Sequence, residues 1–176
     1  GFITEALPIA LLSLSRRLDC LTIDEFADME SRNSPDLIFN VMGYGVAPGE
    51  FDQHKVDYVK HDFAASLAQI ADAAGINIDS WEAFGENSAA VADVKISAGT
   101  IAAGQIAAQR ITISGMRDGQ LVLQFRANWY CSRDIAHKDW DLRESGWRIR
   151  VAGDTPLDVT ITFPVAPEDY AAFTPG

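Results

Sequence analysis

The stretch AAGQIAAQRITISGMRDGQLVLQFRANW (residues 102–129) decides the fold: two apolar-alternating runs meet across Asp118-Gly119. Asp-Gly accepts positive φ at both central positions of a type I′ turn, whose twist matches that of two paired strands. Ile111, Ile113 and Gly115 fall on one face, with Arg110, Thr112, Ser114 and Met116 on the other. Beyond the turn, Leu121, Leu123, Phe125, Ala127 and Trp129 share a face opposite Gln120, Val122, Gln124, Arg126 and Asn128. Alternation of this length predicts a long antiparallel hairpin with one packed face and one more polar face. The hairpin is scaffold: it holds no paired acids, thiols or metal-ligand spacing, so the chemistry must be sought elsewhere.

Working outward, residues 76–84 and 91–97 read as strands before the hairpin. WRIRV (147–151) and LDVTITF (157–163) follow it, with a turn at Gly153-Asp154. Towards the amino end, residues 21–29 alternate as a strand, with Leu21, Ile23, Ala27 and Met29 on one face and Thr22, Asp24, Phe26 and Asp28 on the other. Ahead of it, Thr4 can cap a helix reaching about Arg17, with a Leu7, Leu11, Leu14, Leu18 stripe and Arg16-Arg17 near its carboxyl end. Pro8 should either kink that helix or mark its true start. Ser34-Pro35-Asp36 is a helix-start signal, Leu37, Ile38 and Val41 can pack the helix, and Gly43 can end it. A longer helix is expected over residues 52–74, buried along Val56, Val59, Phe63, Leu67, Ile70 and Ala74 and stopped by Gly75. The pattern predicts an α+β fold: a mixed, mostly antiparallel open sheet of about six strands with helices packed on one face, in which 21–29 is the strand able to run parallel.

A chain of 176 residues reads as one domain with room for a proper core. A net charge of −11 argues against a nucleic-acid groove and an anionic membrane surface, both of which need clustered Lys and Arg. Cys20 and Cys131 belong to no CxxC pattern and read as free thiols of a reducing compartment, with a single disulfide between them as the alternative. The apolar run at 9–15 follows an acidic start, unlike a signal peptide, and is too short to span a bilayer. A cytoplasmic protein is the expectation.

Candidate chemistry is sparse. His54 and His61 lie seven apart on the long helix, but no further ligand stands at metal-site spacing, so no metal is expected. No GxSxG elbow is present, and Gly43-Tyr44-Gly45 with Gly49 has neither Rossmann nor P-loop spacing. The best local candidate is Glu30-Ser31-Arg32-Asn33-Ser34, where a strand gives way to a helix start. Backbone N–H groups there can face an anion, and Arg32 offers a planar donor fork. The competing reading is a cap at Ser34 and a surface ion pair between Glu30 and Arg32. Glu30, Arg32, Asn33, Ser34 and Gly43 are therefore the expected substrate-binding residues.

GFITEALPIALLSLS, the run DMESRNSPDLIFNVMGYG and IAAGQIAAQRITISGMRDGQLVLQFRANWY together resemble the C-terminal half of dihydrodipicolinate-reductase-like enzymes. The branch they are most similar to contains 2,4-diaminopentanoate dehydrogenase and related amine dehydrogenases. The resemblance implies an N-terminal Rossmann domain that binds NAD or NADP, and a C-terminal helix returning to it. Both are absent from these residues, so the chain reads as trimmed at both ends. It further implies that this half supplies substrate contacts and the oligomer interface, while the catalytic ionisable group belongs to the nucleotide half. Dihydrodipicolinate reductase carries a His-His pair and a following Lys where this chain has Asp28-Met29 and Arg32, and an Arg that falls at Ala102. Only the cation at Arg32 and the glycines Gly43 and Gly104 match.

The reading is a substrate-binding and oligomerisation domain of an NAD(P)H-dependent oxidoreductase acting on a C=N or amine/carbonyl substrate, inactive and free of cofactor on its own. It would associate with copies of itself through the sheet. The rival readings are a stand-alone module whose Trp81, Phe84, Trp129, Tyr130 and Trp147 enclose an apolar ligand, and a purely structural dimerisation domain.

Overall fold

The computed structural model describes residues 1–162. Among the described residues, eight strands and two α-helices carry the fold. In chain order they are α1 (Leu7–Leu12), β1 (Arg17–Asp28), α2 (Gln53–Ala74), β2 (Ser80–Ala89), β3 (Val94–Ile96), β4 (Gly99–Ile101), β5 (Ile106–Arg117), β6 (Gln120–Tyr130), β7 (Gly146–Asp154) and β8 (Leu157–Ile161). Six strands form one sheet in the order β2-β5-β6-β1-β7-β8, and β3 with β4 makes a separate ribbon. Among the described strands only β1 and β6 pair in parallel, with Leu21 opposite Leu123 and Asp28 opposite Tyr130. The fold is α+β, as the patterning requires.

The β5–β6 hairpin turns at Asp118 and Gly119 with φ of 52° and 71°, the left-handed pair that a type I′ turn needs. Its packed face supplies Ile111, Ile113, Leu123, Phe125 and Ala127 to a core shared with Leu21, Ile23, Ile149 and Val151. α2 covers this face with Val56, Val59, Leu67 and Ile70. The Phe63 ring stacks on Phe125 at 4.1 Å between centroids, a pair contributing about 0.5–1.5 kcal/mol beyond its burial. Local signals set both ends of α2. The Asp52 carboxylate accepts the His54 N–H at 3.0 Å, and Gly75 takes φ 67° at the carboxyl end.

The amino-terminal helix is shorter than its leucine spacing suggests. Residues 2–6 form a π-type turn, and Pro8 sits in the first turn of α1, so of its two expected roles it marks the start. Leu14 is 63% exposed, and Arg17 already belongs to β1, opposite Asp154. The expected strand at 76–84 begins instead at Ser80 and runs to Ala89. The 91–97 strand contracts to Val94–Ile96 of the β3–β4 ribbon. The 34–43 helix is a six-residue π-type segment, Asp36–Val41, with no side-chain cap from Ser34. Phe163, the expected end of the last strand, lies outside the described residues.

A second core sits on the other face, at the carboxyl ends of β1 and β6. Phe26 and Tyr130 are covered there by Ile38 and Tyr44 from the segment after β1, by Ile96 and Ile101 of the ribbon, and by Ile135 and Trp140. Cys131 is buried in it as a free thiol, and burial pushes that thiol up to about 12; Cys20 is also free. The rest of this face is largely polar, with Asp24, Arg110, Thr112 and Ser114 buried on it. None of the described helices is long and apolar enough to cross a membrane.

Candidate functional site

Because β1 and β6 are parallel, their carboxyl ends lie side by side, and the chain leaving each must turn over the same edge. Ligand sites of mixed sheets favour that position. Here the Met29 N–H donates to the Tyr130 carbonyl at 2.8 Å, the Glu30 N–H donates to the Asp28 carboxylate at 3.0 Å, and the Ser97 N–H donates to the Glu30 carbonyl at 2.9 Å. The Asp28 N–H donates to Ser145 Oγ at 2.9 Å. These bonds fasten three segments around an open cleft of about 630 Å³: Asp28, Glu30 and Ser31 after β1, Lys95–Ser97 of the ribbon, and Glu144 with Ser145 before β7. Three carboxylates face one ammonium across it. Such a cleft attracts a cationic or amine-bearing group and repels an anion.

Of the expected site residues, only Glu30 lines the cleft. Arg32 and Asn33 are exposed outside its lining, and the Ser34 carbonyl is taken by the Ile38 N–H at 3.0 Å. Gly43, with φ 77°, lies at a different place, beside the Lys55 side chain. The Lys55 ammonium donates to the Met42 carbonyl at 2.6 Å, and burial lowers its pKa. That region is an apolar groove of about 330 Å³ between Met42, Tyr58, Val59 and Trp129. Five residues do not converge, because the chain between Glu30 and Gly43 crosses the edge of the sheet. The anion-binding expectation at this junction has no geometric support: the π-type segment is short, and the local charge is negative. Lys95, Glu144 and Ser145 were beyond sequence reasoning, since the ribbon and β7 bring them in from remote positions.

The five aromatic residues proposed to line one ligand cavity are divided by the sheet. Trp81, Trp129 and Trp147 pack on the helix-covered face. Phe84 is 50% exposed on the other face, opposite Thr112, and Tyr130 belongs to the second core. Among the described residues, no group of three His, Cys, Asp or Glu side chains could hold a metal ion. Neither the 29–35 connection after β1 nor the 131–137 connection after β6 contains a glycine, so neither can bring backbone close to a pyrophosphate.

No family model and no curated protein matches the sequence. Among solved structures, the chain is similar to the amine dehydrogenase from Mycobacterium smegmatis, with a TM-score of 0.60 and 13% identity over 93% of this chain. The chain spans about half of that protein's length, 47% of it. At this identity the likeness is one of fold.

Proposed function

We propose that the chain is the substrate-binding part of an NAD(P)-dependent oxidoreductase that acts on an amine or C=N substrate. The observation carrying this reading is the acid-lined cleft at the carboxyl ends of β1 and β6, in a fold shared with half of an amine dehydrogenase. In that role Asp28, Glu30 and Glu144 would hold a protonated nitrogen by charge-assisted hydrogen bonds. In this reading the nicotinamide and its binding domain would come from elsewhere in a complete enzyme, and no catalytic group is assigned to these residues. Calorimetry of the 176-residue chain against NADPH, a short diamine and a short dicarboxylate tests the reading. Weak diamine binding that disappears in Glu30→Gln/Glu144→Gln, with no heat from NADPH, is the expected result. Preference for the dicarboxylate, or micromolar NADPH binding, would overturn it.

We also propose self-association through the face of the sheet away from α2. Thr112, Ser114 and Val122 are buried there, while Phe84 is half exposed. A face mixing apolar and hydrogen-bonding groups suits a second copy related by a two-fold axis. Light scattering should give a dimer mass at high concentration; a strictly monomeric mass would remove this part of the proposal.

A further inference from the structure

The apolar groove beside Gly43 carries one ammonium. Val41 and Met42, before α2, line it with Lys55, Tyr58 and Val59 of α2 and Trp129 of β6, and it holds about 330 Å³. That is near the lower end of the range for small-molecule pockets, about 300–1,000 Å³. Its lining is almost wholly apolar, and Val41 and Tyr58 leave large side chains exposed at it. Lys55 is the exception. Its ammonium donates to the Met42 carbonyl at 2.6 Å, and among the described residues no carboxylate stands within ion-pair distance of it. Burial lowers its pKa, opposed only by Asp52, whose carboxylate already accepts the His54 N–H as the cap of α2. The Met42 carbonyl also accepts from Gln109 Nε2 at 3.0 Å. Lys55 can therefore turn to a ligand without leaving that carbonyl unpaired.

An ammonium without an acid of its own, set in an apolar groove, is complementary to a carboxylate on an apolar chain. The charges pair, and the chain and the groove remove each other's carbon surface from water. A doubly charged phosphate would call for a second cation, and the next lysine of α2, Lys60, is held by the Trp81 carbonyl at 3.2 Å. His54, the other basic residue at the groove, is exposed to water. We propose that the groove binds a medium-chain alkyl carboxylate, its head on Lys55 and its chain along Tyr58, Val59 and Trp129. The groove shares no lining residue with the acidic cleft, whose carboxylates would repel such a ligand. The site rests on the groove alone and does not depend on the oxidoreductase reading.

The test is tryptophan emission of the full chain titrated with sodium octanoate, with 1-octanol as the uncharged control and octylammonium as the cationic one. Octanoate should change the emission saturably and bind at least about tenfold more tightly than either control, the gain from one charge-assisted contact. From butanoate to octanoate, each added methylene should tighten binding about two- to fourfold. Lys55→Met should lower the octanoate affinity at least about tenfold, and Lys55→Arg should restore most of it. Tyr58 is exposed, so Tyr58→Glu sets a like charge at the groove without touching the core and should weaken binding even if Lys55→Met fails to fold. Lys95→Met, in the acidic cleft, should leave the affinity unchanged. Equal binding of octanoate and octanol, or wild-type affinity in both Lys55→Met and Tyr58→Glu, would overturn the site. Loss of binding in Lys95→Met but not in Lys55→Met would move the recognition to the cleft and overturn it equally. Light scattering of the same samples should show a mass that octanoate does not alter. A mass that falls as octanoate binds would mean that a second copy of the chain covers the groove, and the ligand site would be wrong.

Discussion

Replacing Asp24 with alanine is expected to lower the free energy of unfolding by about 3–5 kcal/mol. Its carboxylate, 3% exposed, accepts two hydrogen bonds from Arg126, at 2.5 and 2.8 Å, and one from Arg150 at 3.1 Å. β1 lies between β6 and β7, so this one acid joins the parallel pair to its antiparallel neighbour. Alanine would leave two guanidinium groups facing each other over a space that water enters poorly. Arg150 Nε already has no partner and is itself buried, which makes its charge harder to re-solvate. The Arg126 and Arg150 side chains keep 24% and 38% exposure, which favours the lower end of the range. Urea unfolding measures the loss, and a value under about 1 kcal/mol would mean that the arginines return to water freely. Asp24→Asn, which keeps an acceptor but no charge, should fall between wild type and alanine.

The hairpin, α2 and β1 were legible because each announces itself locally: Asp118-Gly119 by its dihedrals, α2 by its Asp52 cap and Gly75 stop, β1 by period-two alternation. Where the reading failed, two periods competed for the same residues. Leu7, Leu11, Leu14 and Leu18 fit a helical stripe, yet Leu18 alternates with Arg17 and Asp19 in a strand that gains a whole ladder against β7. Sheet pairing outweighs a helix that would have left Leu14 exposed in any case. The β3–β4 ribbon has three residues a side, too few for any periodicity to register. The candidate site was only partly legible for a different reason. Glu30 is adjacent in sequence to the strand end that builds the cleft, whereas Lys95 and Glu144 reach it through tertiary packing alone. Glu25 did leave a signal. It stands at the apolar parity of β1, between Ile23 and Ala27, and an acid on the packed face of a strand asks either for a partner or for a function.

That position also determines how stability should respond to pH. Burial raises the Glu25 carboxyl from its ordinary value of 4.5 to about 7. Between those values the native state holds a proton that the unfolded chain has released, so unfolding releases a proton and stability falls as pH rises. The contribution is fully present below 4.5 and is lost as pH climbs through about 7; above that it stays lost. Glu25→Gln removes the titration while keeping the shape, and its amide does not ionise in the apolar setting. The variant should therefore match wild type near pH 4.5 and exceed it progressively up to pH 7, reaching a plateau of about 3 kcal/mol, the free energy equivalent of the rise from 4.5 to about 7. Thermal melts of both proteins at intervals from pH 4.5 to pH 9 would show the two curves separating. A difference that does not change with pH would mean that water reaches the carboxyl freely.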